Sequence, residues 1–403
     1  MDILLLLSLA LAVLISLLAY RVYFHSLAHI PGPPLAKVTY LYEWYYDLYQ
    51  SDQFTFQLKD LHHKYGPVIR INPDKVHIDD PDFFDQVFNQ TNGRAVKPLR
   101  VADVFGPYPA TIGTQSHELH RLRRSALNPF FSKKSVNDLV PVMWRPIDIL
   151  RKRLQQAAQT GDMLNMKYIY AAVTLDIINA YCFAHEPHSM DQPDFGRKGF
   201  DDVDSFLEMS LLNIHNPWAM RFTYSLPGEF PNSAPAMADI LDFRRDLSRQ
   251  VEAIRHGEAF SLVTAGSGTT AYVLRGTAYH IAANPSVRQR LHGELVATIP
   301  DPQQFPTLTT LEQLPYLTAP CSPISTRRFS PNLAFSGPSG GWDPTASDWN
   351  DTWCPSIGVH ARVWFDYDVS AVQRDRDIDV SRDYILGAQA RDTPGILVTV
   401  KEC

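Results

Sequence analysis

The sequence predicts a mainly α protein with a small β-sheet near its N-terminus. Two observations carry this. Ala259 to Ala283 is a 25-residue stretch with one charged side chain, Arg275, and Asp138–Ala158, Met163–Ala184, Phe200–Leu212 and Met237–His256 read as further helices. Val68, Ile69 and Ile71, then Val76 and Ile78, are broken at Asn72-Pro73-Asp74, which is the pattern of a β-hairpin.

The long stretch sets the organisation. As one helix, Ala259–Ala283 would span roughly 37 Å at about 1.5 Å per residue. A helix apolar on all sides belongs inside a large protein or a membrane. Its centre, Gly266-Ser267-Gly268-Thr269-Thr270, is poor helix material, since glycines and β-branched residues have low helix propensity. A buried helix weakened at its middle is expected to make room for something other than side chains.

Composition narrows the class. The 403 residues carry a formal charge of −6, with no basic stripe that would point to a nucleic-acid partner. The four cysteines show neither C-x-x-C pairing nor metal-ligand spacing, which argues against a disulfide scaffold or a zinc module.

In chain order, Ile3–Tyr20 is an apolar run of 18 residues, long enough to cross the hydrocarbon core. Residues 1–21 are expected to be an uncleaved single-pass anchor, because no basic residue precedes the run and no A-x-A site follows it. Arg21 and Lys37 lie beyond it, which places the body on the cytoplasmic side, as in endoplasmic reticulum membrane proteins. Residues 22–40 hold Pro31-Gly32-Pro33-Pro34, read either as a stiff spacer or as a plain linker. After the hairpin a helix is expected over Asp82–Phe88, and another over Ser116–Leu127. The second carries His120, Arg121, Arg123 and Arg124, with His120 and Arg124 on one face. That pair suits a carboxylate or phosphate, and equally a solvated basic face. Residues 41–319 are expected to form the main domain, with a loop at Gly228–Pro235.

Residues 320–403 differ. Between 320 and 400 there is no Lys and no Glu, although the first 319 residues hold ten and nine. Segments such as SGPSGGWDPTASDWNDTW show no clear helical or strand period. This stretch reads as a foreign segment, a disordered one, or coding sequence out of frame.

Taken together, the segments from Met1 to about Ala319 resemble the membrane-anchored cytochrome P-450 family, the haem-thiolate monooxygenases, in its fungal secondary-metabolism branch. The resemblance rests on the anchor with Pro31-Gly32-Pro33-Pro34, KYGPVIRINP (Lys64–Pro73), HRLRRSALNPFFS (His120–Ser132), AGSGTT (Ala265–Thr270) and LEQLPYLTA (Leu311–Ala319). It implies a P-450-like fold and a haem cofactor in intact relatives. It also implies a lipophilic small-molecule substrate of terpenoid or polyketide type and electrons from a membrane-bound NADPH reductase. By the same resemblance the long helix crosses over the haem. The glycines then leave room for dioxygen beside the iron, loosened backbone hydrogen bonds open a groove, Ala265 and Gly266 count among the cofactor-binding residues, and Thr269 and Thr270 serve oxygen activation. His120 and Arg124 match the pattern that holds a haem propionate. The acid position of the helix motif is Gly268.

Three departures accompany the resemblance. RQVEAIRHG (Arg249–Gly257) runs straight into EAFSLVTAG, where the family has a further helix. The Glu-x-x-Arg pair is absent after Ala319. The loop Phe-x-x-Gly-x-Arg-x-Cys-x-Gly is missing, and Cys182, Cys321, Cys354 and Cys403 all lack its context, so no metal ligand is assigned. The expectation is therefore a monooxygenase that is truncated or frame-shifted, poorly stable and inactive as written. A non-catalytic, membrane-tethered remnant is the alternative. Gly266-x-Gly268-x-x-Ala271 also satisfies a dinucleotide-binding pattern, with Glu294 as the acid; that NAD(P)-binding oxidoreductase is the remote alternative. A serine-hydrolase elbow at Ser267 fails, because Ala265 and Thr269 occupy its glycine positions.

Overall fold

The computed structural model describes residues 3–80, 83, 96–102, 104, 110–129, 131–132, 134–135, 140–184, 187–216, 218, 256–299, 306–318, 359, 363, 367–371, 382–383, 387–388 and 396–402. The helices expected at Asp82–Phe88 (apart from Phe83) and Met237–His256 (apart from His256), and the loop at Gly228–Pro235, lie outside the described residues. Two compact units are present, one built mainly from residues 1–95 and the other from most of the chain after Val96.

The first unit opens with α1, Ile3–Ala19, lengthened by a π turn over Tyr20–Phe24. No side chain of α1 is buried, and the 22-residue span Ile3–Phe24 is long and apolar enough to cross a membrane. Then come α2, Pro34–Val38, which Pro34 starts with its preset φ, α3, Leu41–Trp44, continued by a π turn over Tyr45–Tyr49, and α4, Phe54–Tyr65. Phe54, Leu58 and Leu61 recur at helical spacing on α4 and bury against Ile69 and Ile71. Gly66 ends α4 at φ +94°, a conformation side chains rarely adopt. The expected hairpin follows as β1, Val68–Asn72, and β2, Lys75–Ile78, paired antiparallel with Ile69 opposite His77.

Buried polar groups tie this unit together. The Arg70 N–H donates to the Pro31 carbonyl at 2.7 Å, and a Cβ on Gly32 would fall 2.2 Å from the Arg70 carbonyl oxygen. The proline-rich segment is thus clamped to β1, and only glycine fits at its closest approach. Glu43, buried on α3, accepts from Asn72 Nδ2 at 2.7 Å and Lys75 Nζ at 3.3 Å.

The second unit is mainly α, with a small antiparallel sheet. Its helices are α5, Leu99–Ala102, α6, His117–Leu127, α7, Val140–Thr160, α8, Met166–Phe183, and α9, Arg197–His215. They continue with α10, His256–Ala283, α11, Pro285–Thr298, α12, Leu308–Glu312, and α13, Pro315–Thr318. Its core packs Ile147, Leu150 and Leu154 of α7 against Ile169, Val173 and Ile177 of α8, Leu274 and Ala278 of α10, and Leu291 and Leu295 of α11.

β3, Leu164–Asn165, lies beside β5, Leu397–Glu402, which also pairs with β4, Tyr367–Ala371. Val359, Val363, Tyr367–Ala371 and residues 396–402, from the stretch after residue 320, are therefore packed in the second unit. Val359, Val363, Val369, Ile396, Val398 and Val400 are all buried in its core. Ile396, Val398 and Val400 alternate with more exposed neighbours, the period-2 signal of a strand with one face inward.

Candidate functional site

α10 is the centre of the site, and its two sides differ. Against α8 it is sealed: a Cβ on Gly266 would sit 2.7 Å from Ile178 Cγ1 and 2.8 Å from Cδ1, so glycine there permits close helix packing. Ser267 is buried beside it, its hydroxyl donating to the Val263 carbonyl at 2.7 Å. Thr174 of α8 donates its hydroxyl to the Ser267 carbonyl at 3.0 Å.

The other side is open. Ala265 is exposed, and Thr269 lies one turn further along. Among the described residues, a Cβ added at Gly268 or Gly276 would meet nothing within 4 Å. Thr270 is half-buried. Thr269 Oγ1 donates to the Ala265 carbonyl at 2.6 Å, so it donates to a ligand only by leaving that bond, while its lone pairs stay free to accept.

The loosened backbone expected at Gly266–Thr270 is not observed, and α10 runs unbroken from His256 to Ala283. Ser267 and Thr269 bond back to the carbonyls four residues earlier, and packing against α8 supports weak helix formers in the helix state. The dinucleotide alternative is overturned by the same observation. Gly266 and Gly268 lie inside a helix rather than at a strand-to-helix turn. Glu294, its acid, sits on α11 and accepts from the Tyr316 and Leu317 N–H groups at 2.9 and 2.8 Å, holding the start of α13.

α6 begins at Ser116, whose side chain accepts from the Leu119 N–H. His120 and Arg124 share one face and are half-buried. Arg123 turns to the preceding segment, donating to the Ala110 carbonyl and the Thr114 hydroxyl. Within the basic cluster, Arg123 thus braces the chain, while Arg121 and Leu122 are exposed. The expected site residues accordingly occupy two helices of one unit, α6 and α10.

Sequence reasoning missed Thr174, Gly276 and the surroundings of Arg275. The Arg275 guanidinium lies over the Tyr272 ring, 4.7 Å from its centre, and its Nε has no hydrogen-bond partner among the described residues. Burial lowers its pKa. Gly276 had a signal in its spacing of two turns from Gly268, and Arg275 in its three-residue spacing from Tyr272; Thr174 depends on packing that no local pattern announces.

A haem would require an axial thiolate. Among the described residues the cysteine is Cys182, in α8, and burial pushes its thiol up to about 12. A group held neutral in this way is a poor iron ligand, because the thiolate is the coordinating form. Cys321, Cys354 and Cys403 lie outside the described residues. Among the described residues no three His, Cys, Asp or Glu side chains gather where they would hold a metal ion. The described donor set therefore does not fit iron ligation, although no described residue lies against Gly268 or Gly276 on α10.

Fold and site together define a mainly α protein with an apolar N-terminal helix and a long central helix open along one side. Comparison with known proteins supplies the family. The Cytochrome P450 profile matches residues 31–244 and 252–322, and the chain belongs to that family. It is 35% identical over 337 residues to a cytochrome P450 monooxygenase of Cochliobolus heterostrophus, covering 75% of this chain and 64% of the relative. It is 31% identical to the tryptophan 6-hydroxylase of Fusarium equiseti, covering 75% and 66%. Identity to the stellatic acid synthase of Emericella variicolor is 32%, covering 76% and 61%. The chain thus spans somewhat under two thirds of the length of these curated relatives. The profile match ends at residue 322, close to where the sequence motifs end.

Proposed function

We propose that this chain carries the oxygen-side half of a haem-thiolate monooxygenase site and, as written, does not complete oxygen insertion. The open side of α10 is the observation that carries the first part. There Ala265 and Thr269 would lie along the distal side of a haem, with Thr270 half-buried nearby and His120 and Arg124 of α6 on a propionate; Gly266 packs against α8 and does not open room on that side. The neutral thiol of Cys182 supports the second part, since a thiolate's electron push is what favours O–O cleavage in this family. No step of oxygen chemistry is assigned to the chain.

The class of reaction proposed for its intact form is oxidation of a lipophilic secondary metabolite, with electrons from a membrane-bound NADPH reductase. Relatives named for hydroxylating tryptophan and for forming stellatic acid support this class without selecting a substrate. We place α1 in a membrane as a single-pass anchor of endoplasmic reticulum type, with the body cytoplasmic. Its fully unburied apolar surface and the following Arg21 and Lys37 support that orientation.

The test is the reduced carbon-monoxide difference spectrum of the full chain expressed with added haem precursor. No Soret band of the thiolate type is expected. A strong one would overturn the inactive reading and direct attention to the cysteines after residue 320.

A further inference from the structure

We propose that His62 and His77 form an acid-opened joint between the last turn of α4 and β2: it stays shut while the pair holds no added proton or one, and parts when both rings are charged. It depends on neither the anchor nor a haem. His62 Nε2 lies 2.7 Å from His77 Nδ1, and His62 Nδ1 lies 2.8 Å from the Gly66 carbonyl oxygen. The ring centres are 5.0 Å apart, which is the nitrogen–nitrogen distance plus a ring radius at each end, so the two nitrogens meet head-on. Both rings are half-buried.

The Gly66 carbonyl fixes the tautomers. It only accepts, so His62 Nδ1 carries the proton, and in the neutral ring Nε2 is bare and accepts in turn. His77 then donates from Nδ1 and leaves its own Nε2 bare. One added proton, taken at His77 Nε2, keeps that bond and makes it charge-assisted. The shared proton can also cross to His62 without parting the nitrogens. A second added proton leaves an N–H on each facing nitrogen. Two donors and two like charges then oppose each other, and no arrangement of protons restores an acceptor. The two steps belong to the pair rather than to either ring.

The surroundings set where the second step falls. Burial, and after it the charge of His62, hold His77 below the ordinary histidine range, against the pull of Asp79 just past β2. On α4 the charged neighbours Lys59, Asp60, His63 and Lys64 are exposed, as is Asp80 beyond the hairpin. On β1 the Arg70 guanidinium is turned away, donating to the Arg21 carbonyl at 2.9 Å and the Pro73 carbonyl at 2.7 Å. Lys75 of β2 pairs with Glu43 at 3.3 Å, and Asp47 stands half-buried in the turn before α4. A histidine whose pKa is lower folded than unfolded contributes its full stability above about pH 6.5, and loses it as pH falls through the window beneath. The joint is therefore shut near neutrality and opens on mild acidification. Leu58 and Leu61 keep their apolar contacts with Ile69 and Ile71, so the opening is local to the end of α4.

The experiment follows the full chain in detergent micelles by hydrogen–deuterium exchange, comparing protection factors over residues 54–66 and 68–78 at about pH 7.5 and about pH 5. In the unaltered chain, protection at the end of α4 is expected to fall on acidification, with opening rising roughly tenfold per pH unit across the window. His77→Asn keeps an amide donor where Nδ1 stood and carries no charge, so its protection should be the same at both values. His62→Gln likewise keeps an amide where Nε2 stood, and it gives the same comparison if His77→Asn fails to fold. His63→Gln, a change at the exposed neighbour, should leave the acid response intact. Unchanged protection in the unaltered chain would overturn the joint, and that measurement needs no variant. An equal fall in folded His77→Asn or His62→Gln would overturn it too, because acid would then act elsewhere. Loss of the response in His63→Gln would move it to the exposed ring and sink the proposal as well.

Discussion

Two glycines of α10, two residues apart, do opposite things. Gly266 faces α8, where a Cβ would collide with Ile178; Gly268 faces none of the described residues. Read along the sequence, Gly266-Ser267-Gly268 is one weak spot in a helix. In the structure it is a tight packing contact on one side and a free surface on the other, with Ser267 buried between them. Low helix propensity at the centre of a buried helix therefore does not announce a break. It marks where the two sides of the helix have different requirements.

The largest expected effect breaks the packed side. Gly266→Ala gains helix propensity but places a methyl group 2.7 Å from Ile178 Cγ1. Overpacking of this kind costs about 1–3 kcal/mol, more than the ~1 kcal/mol that alanine gains over glycine in a helix. A lower urea midpoint at unchanged slope is expected. Adding Ile178→Ala removes both clashing atoms, so the double variant should lose less than the sum of the two single losses. Additive losses would show that the Gly266 contact does not limit the approach of α8.

A smaller effect sharpens the same side. Thr174→Val keeps the volume of the side chain and removes its hydroxyl donor to the Ser267 carbonyl. That hydroxyl also lies 2.9 Å from the Tyr170 carbonyl and 3.1 Å from the Ala171 carbonyl within α8. Each acceptor retains its helical partner, so the loss should be about 0.5–1.5 kcal/mol, read as a shift in the unfolding midpoint. A loss well above that range would mean that Thr174 carries the α8–α10 contact rather than trimming it.

How much of this was legible follows the same division. α6 to α9 match expected helices within a few residues, because their patterns are local: Ser116 before α6, apolar spacing in α7 and α8. The hairpin was legible from alternation around Asn72-Pro73-Asp74. α2 to α4 were not read, and neither were the Arg70 and Glu43 ties. A buried charge looks like a surface charge in sequence, and its partners Arg21 and Asn72 lie 49 and 29 residues away. β5 carried a period-2 signal that the odd composition of the stretch after residue 320 obscured. At the site, His120, Arg124 and Thr269 came from motif resemblance, while Thr174 is visible only once α8 lies against α10.

The smallest expected effect probes the open side, and its sign is what matters. Gly268→Ala adds a methyl group where nothing lies within 4 Å, and it relieves the backbone entropy cost of glycine inside a helix. Stability should rise by about 0.5–1 kcal/mol. The contrast with Gly266→Ala is then one of opposite sign for the same chemical change two residues apart, a result that helix propensity alone cannot produce. A destabilised Gly268→Ala would mean that another part of the chain closes over this side of α10. The oxygen-side reading of Ala265 and Thr269 would then lose the free surface on which it depends.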